Sequence, residues 1–238
     1  MRRSPYPTLL LAGLCLIAFV MLALLVEAGA TRAIDVAIIG AVRDPGLVAP
    51  LAPLGVLTTA GSTVWIVAAS LVVLVVQLIA RRPWLGVAAT AMIGVASLSD
   101  HLVKDIVRRV RPDLLPPIVV EPGYSFPSGH AALSMVAYGI IAVLVLRSGL
   151  PRGVRWLATG SLALVVALVG VSRIYLGVHY PSDVLGGWLG GGSIVLLLVS
   201  ITRARSAGQF SREASRSPAG GGAAGDRAAS RSDRPAPQ

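Results

Sequence analysis

Six apolar runs, each close to the length needed to cross a bilayer, constrain what this chain can fold into. They fall at 9–26, 56–80, 84–107, 131–146, 154–171 and 184–201. A spanning helix takes about 20 mostly apolar residues, because the hydrocarbon core offers no water to satisfy unpaired backbone groups. The fourth run is short as written and gains length if its helix starts at Ser128. With 55% of 238 residues apolar and 13% charged, the composition is too greasy for a soluble domain. The expected fold is all-α, a six-transmembrane-helix bundle.

The formal net charge of +10 would point to nucleic acid in a soluble protein. Here the arginines fall mostly between the runs, and membrane topology accounts for them better, so no nucleic-acid partner is expected. Arg2 and Arg3 precede the first run, and Arg81 and Arg82 join the second to the third. Arg147, Arg152 and Arg155 join the fourth to the fifth, and Arg203 and Arg205 follow the sixth. If six spans alternate, all four groups share one side. By the positive-inside rule that side is the cytoplasm, which predicts a multi-pass cell-membrane protein with both termini inside.

Cys15 is the only cysteine, so no intramolecular disulfide forms. The first run has a basic start, and Ala28-Gly29-Ala30 resembles a cleavage site. Its apolar stretch is longer than a signal sequence usually carries, and it reads as a retained span. Between the first two spans, 34–42 can form a short interfacial helix at the outer surface or serve as a plain connector. Residues 1–202 are therefore expected to form the membrane domain. Residues 203–238 turn to Arg, Ser, Ala, Gly and Pro and are expected to be a disordered basic cytoplasmic tail. The glycines at 186, 187 and 190–192 fall inside the last run, where they suit close helix packing.

Against this background the chain's single lysine stands out. Twenty arginines are spread along it, yet Lys104 is alone, seven residues before Arg111-Pro112. On a helix that spacing returns Lys104 and Arg111 to one face, with Arg108 near them, facing one anion. A guanidinium forks two phosphate oxygens and an ammonium is a compact point charge, so the two types do different work. A basic helix end touching lipid headgroups is the plainer alternative.

A second segment, Pro127-Ser128-Gly129-His130, precedes an apolar run. Ser128 suits a helix N-cap, Gly129 lets the backbone approach a ligand, and helix-start amides attract an anion. His130 would stand in the first turn, able to protonate a leaving oxygen as general acid. An ordinary helix cap explains most such tetrapeptides. In the third segment Ser172-Arg173 closes a span, His179 follows, and Pro181 is placed to open the last helix. Asp183 lies four residues after His179. That spacing lets the carboxylate fix the imidazole tautomer and free the other nitrogen to attack phosphorus. Asp183 can equally be an acid favoured at a helix start. Asp100 and His101 read as supporting or interfacial residues. No convincing metal-ligand set is present, so neither metal nor cofactor is expected.

Taken together, these residues resemble the type 2 phosphatidic acid phosphatase family of integral membrane lipid phosphatases. The likeness covers about 58–201, and no signature position departs from the family pattern. The resemblance implies a bundle with its site at the outer end and a metal-independent route through a phosphohistidine on His179. In it Lys104, Arg111, Ser128, Gly129 and Arg173 hold the phosphate, His130 protonates the leaving group, and Asp183 orients His179. Arg109, between the family positions, is expected as a headgroup contact or a solvated flank. The expected activity is hydrolysis of a lipid phosphate or diphosphate. A phosphotransferase using the same site is the alternative, and an idle membrane scaffold or transporter a more distant one. Nothing in the spacing distinguishes polyprenyl diphosphate, phosphatidic acid or phosphatidylglycerol phosphate, or fixes the oligomeric state.

Overall fold

The computed structural model describes residues 4–44, 46 and 53–216. The helices are α1 (Tyr6–Glu27), α2 (Arg32–Val42), α3 (Leu54–Leu57), α4 (Thr63–Ile79), α5 (Pro83–Val107), α6 (Gly129–Leu146), α7 (Arg152–Tyr175) and α8 (Pro181–Arg216). A 3-10 turn, Thr58–Gly61, joins α3 to α4, and no strand occurs among the described residues. Five helices are long and apolar enough to span a membrane, and a sixth span results if the bent pair Leu54–Gly61 and Thr63–Ile79 counts as one. The all-α bundle read from the hydropathy is the fold observed.

The second span departs from its expected form. It carries no charged residue from Val56 to Ile79, yet the chain bends by 51° within it, at the small and polar stretch 58–63. Ser62 is extended, with φ −71° and ψ 153°. Gly61 lies so close to α7 and α6 that a methyl there would come within 2.5 Å of Val169 Cγ1 and 3.2 Å of His130 Cβ. Hydropathy does not register a dihedral break, and here the break lays the 3-10 turn against the site.

Large apolar side chains such as Leu14, Ile17, Val72 and Leu157 stay exposed, as expected where lipid replaces water around the helices. One part of the interior packs small against branched residues: Ala88, Ala89 and Ala96 of α5, Val136 and Ile140 of α6, and Val195 and Leu198 of α8. The α8 glycines serve packing as expected. A methyl at Gly187 would lie 2.7 Å from the Ser128 carbonyl oxygen, and one at Gly191 2.7 Å from that of Ala132, so α8 and α6 touch backbone to backbone. The first apolar run, α1, packs along α8, where Ser200 Oγ donates to Thr8 Oγ1 at 2.9 Å.

Two further expectations change at helix ends. The C-terminal helix runs on to Arg216, so 203–216, read as the start of an unstructured tail, continues α8. Once a helix is nucleated by its packed part, extension costs little, and Arg, Ala, Gln and Glu are good helix formers. The rest of the tail, 217–238, lies outside the described residues. The α5 helix stops at Val107, where Arg108 takes a left-handed conformation at φ 48°. Lys104 and Arg111 therefore do not share a helix face, and the extended bias that Pro112 imposes on Arg111 fits the loop seen there.

Candidate active site

At one end of the bundle, the loop after α5, the starts of α6 and α8, the end of α7 and helix α2 converge. His179, in the connection from α7 to α8, is 1% exposed. Arg111 Nη1 lies 3.3 Å from His179 Nε2. A guanidinium has only hydrogens to offer, so Nε2 accepts and the ring proton resides on Nδ1. That nitrogen faces Asp183 Oδ2 at 3.5 Å, a loose contact in this state. Burial outweighs the pull of Asp183 and holds His179 below its ordinary value, which favours the neutral, nucleophilic imidazole.

Asp183 is fully buried and saturated with donors. Ser125 Oγ and the Tyr180 amide donate to Oδ2, the latter at 2.8 Å, and Arg109 Nη1 donates to Oδ1 at 2.5 Å. The Tyr180 bond closes the start of α8 from within, so Asp183 is the helix-start acid of the plainer reading as well as the neighbour of His179. One residue meets both descriptions. Pro181 opens α8 as its position implied.

The cations meet an anion already in the protein. Arg173 is 2% exposed and donates through Nη1 to Thr58 Oγ1 at 2.8 Å and through Nη2 to Glu121 Oε1. Arg111 Nη1 stands 3.5 Å from the other Glu121 oxygen and donates to the Val178 carbonyl at 2.8 Å. Its other nitrogens are held by the carbonyls of Gly123 and Pro122 at 3.1 and 3.0 Å. Burial alone would raise the Glu121 carboxyl, but the Arg173 charge overrides it and leaves the group below its ordinary value.

Ser128 takes the N-cap position of α6, but its side chain makes no cap bond. Its Oγ is buried and without a partner, as is Arg173 Nε. Both atoms keep a hydrogen to donate. Lys104 Nζ donates to Asp100 Oδ2 at 2.7 Å. Its charge also acts on His130. Asp100 lies close against Gly129, where a methyl would come within 3.1 Å of Oδ2. Asp100 thus supports the site, whereas His101 is exposed.

Arg109 has a different occupation from the one expected. Its guanidinium is taken up by Asp35 and Asp183, with Nη2 donating to Asp35 Oδ2 at 2.7 Å, and it lies 3.9 Å over the Tyr180 ring. It faces the protein, not a headgroup. Sequence reasoning missed Glu121, Thr58, Ser125 and Asp35. Asp35 carried a usable signal, an acid within an otherwise apolar segment. Among the described residues no group of three or more His, Cys, Asp or Glu is placed to hold a metal ion.

Comparison with known proteins places this geometry in context. The chain is 36% identical over 128 residues to phosphatidylglycerophosphatase B of Bacillus subtilis (strain 168), a match covering 52% of this chain and 59% of that protein. It is 39% identical over 126 residues to decaprenylphosphoryl-5-phosphoribose phosphatase of Mycobacterium tuberculosis (strain ATCC 25618 / H37Rv), covering 51% and 62%. The chain thus spans little more than half the length of these curated relatives. A crystal structure of a transmembrane PAP2 type phosphatidylglycerolphosphate phosphatase from Bacillus subtilis superposes with a TM-score of 0.71 at 28% identity, over 81% of this chain and 96% of that one. The family model of the PAP2 superfamily matches residues 84–207, from the start of α5 through the last span and so over more than half of the chain, and the protein belongs to that superfamily.

Proposed function

We propose that this protein is a membrane phosphatase that hydrolyses a lipid phosphate or lipid diphosphate monoester through a phosphohistidine on His179. The observation that carries the reading is a buried imidazole with Nδ1 turned to Asp183 and Nε2 turned to Arg111, one of two arginines that already hold a carboxylate. Substrate phosphate takes the place of that carboxylate, bound by Arg111, Arg173, Lys104, the Ser128 hydroxyl and the amides at the start of α6. His179 Nε2 attacks phosphorus, the P–O bond to the lipid breaks, and His130 gives its proton to the departing oxygen. Asp183 stabilises the resulting imidazolium. Water, deprotonated by His130, then attacks phosphorus, the P–N bond breaks, and phosphate leaves.

A lipid substrate is supported by the relatives' names and by a cavity of about 130 Å³ beside the Ser128 segment. It lies between α1, α5 and α8, is lined by Phe19, Ala96, Val103 and Ile194, and reaches Asp100 and Pro127. We place the site on the extracytoplasmic side, with both termini in the cytoplasm, from the arginine distribution. The test is phosphate release by purified protein from phosphatidic acid, phosphatidylglycerol phosphate and polyprenyl diphosphate, with and without a strong chelator. Release from at least one lipid, undiminished by chelation, is expected. No release from any of them, or activity that requires an added divalent ion, overturns the reading.

A further inference from the structure

Asp35 has no part in the mechanism above, lies outside the family match, and is 1% exposed. It comes from α2, the short helix between the first two spans. Its Oδ1 accepts from the Ser182 amide at 2.9 Å and its Oδ2 from Ser182 Oγ at 2.7 Å and Arg109 Nη2 at 2.7 Å. Arg109 also donates through Nη1 to Ser182 Oγ at 2.7 Å and to Asp183 Oδ1 at 2.5 Å. One guanidinium therefore serves two buried carboxylates, one of which faces His179. A buried carboxylate is costly unless paired and fully hydrogen-bonded, which this arrangement achieves for both acids at once.

We propose that Asp35 and Arg109 are positioning residues that set the charge Asp183 presents to His179. Were Arg109 paired with Asp183 alone, that carboxylate would be neutralised and would give little support to the imidazolium formed on phosphoryl transfer. By drawing on the same guanidinium, Asp35 leaves the cluster of Asp35, Arg109 and Asp183 with one net negative charge beside the ring. This rests on the reading of His179 as nucleophile. The charged and titratable groups around His179 and this cluster are Asp35 from α2, Arg109, Arg111 and Glu121 from the loop after α5, His130 from the start of α6, Arg173 from the end of α7, and Tyr180 and Asp183 at the start of α8, with Arg32 and Asp113 acting on Tyr180.

The sign of the charge change separates this from a purely structural tie. Attack requires neutral His179, so the acidic limb of kcat/KM reports its protonation. Asp35→Asn removes a negative charge and should move that limb to lower pH by roughly half a unit to one unit. In this variant kcat should fall about tenfold, equivalent to about one unit of lost imidazolium stabilisation, and KM should hold. Arg109→Gln removes a positive charge and should move the limb to higher pH. The double variant should bring it back near the wild-type position, and Arg109→Lys, which keeps the positive charge, should leave the limb near that position too.

The measurement is the pH dependence of phosphate release from a short-chain phosphatidic acid in detergent, with His179→Asn alongside. Limbs of Asp35→Asn and Arg109→Gln that stay fixed, or move the same way, overturn the proposal. If Arg109→Gln fails to fold, Asp35→Asn decides alone: a limb moved to lower pH supports the proposal and an unmoved limb overturns it. Wild-type turnover by His179→Asn overturns the nucleophile reading and this inference with it. Unmoved limbs with an inactive His179→Asn overturn this inference only.

Discussion

Glu121 is the side chain that most shapes the resting site, because it puts a carboxylate between Arg173 and Arg111 where an anion is otherwise wanted. It is 25% exposed, so its hold on the arginines is partly screened. Its removal should tighten binding of orthovanadate or phosphate by roughly three- to tenfold, the equivalent of about 1 kcal/mol. Inhibition of Glu121→Gln by vanadate measures this, and an unchanged inhibition constant would place Glu121 outside the anion seat. His179 gives a second residue-scale outcome. Burial holds it below its ordinary 6.5. As pH falls through that value the unfolded chain binds a proton that the folded protein refuses, so stability is present above it and is lost below it. Tm should therefore drop on acidification from neutral pH, and His179→Asn should flatten part of that drop. Of these residues, the motif positions were legible in the sequence because their spacing is fixed by the chemistry. Glu121, Thr58 and Ser125 were not, since each is a lone polar residue brought in by tertiary packing, while Asp35 had only its place in an apolar segment to mark it.

The elements at the site are positioned by close backbone contact, and α8 against α6 shows how little slack there is. A methyl at Gly187 would meet the Ser128 carbonyl at 2.7 Å and the Ala132 amide at 2.9 Å, and backbone cannot rotate away as a side chain can. Gly187→Ala should cost about 1–3 kcal/mol and displace the Ser128 segment. Both Tm and turnover should fall. Gly192→Ala, which meets only the flexible end of Met135 at 3.4 Å, is the matched control and should leave both near wild type. Equal effects of the two would mean that the α6–α8 contact does not set the site. The spans were readable from hydropathy, and the start of α8 from Pro181. The bend at Ser62 and the helix end at Val107 were not, because both are dihedral events, the one in a span that averages as apolar despite Thr58, Thr59, Gly61 and Ser62, the other within a run of charged residues. The helix-face argument for Lys104 and Arg111 assumed continuity through Arg108, whose left-handed backbone ends the helix.

At the scale of the whole molecule, the bundle gathers its polar chemistry at one end and leaves arginines at the other. There Arg147 Nη1 donates to Thr202 Oγ1 at 3.0 Å and Arg205 lies over the Trp84 ring at 3.9 Å. The orientation proposed from the positive-inside rule puts that end in the cytoplasm. A reporter active only outside the cell should be on when joined after Gly123 and off after Arg205, and the reverse pattern would invert the orientation. The central claim, covalent catalysis by His179, has a direct test because the two histidines act at different steps. An activated aryl phosphate needs little help from a general acid, so His130→Ala should still be phosphorylated by it while lacking the base that drives hydrolysis. Quenching that variant after mixing with a radiolabelled aryl phosphate should yield an acid-labile, base-stable phosphoprotein whose label maps to His179 and is absent from the His130→Ala, His179→Asn double variant. Label on any other residue, or undiminished label in the double variant, would contradict the account.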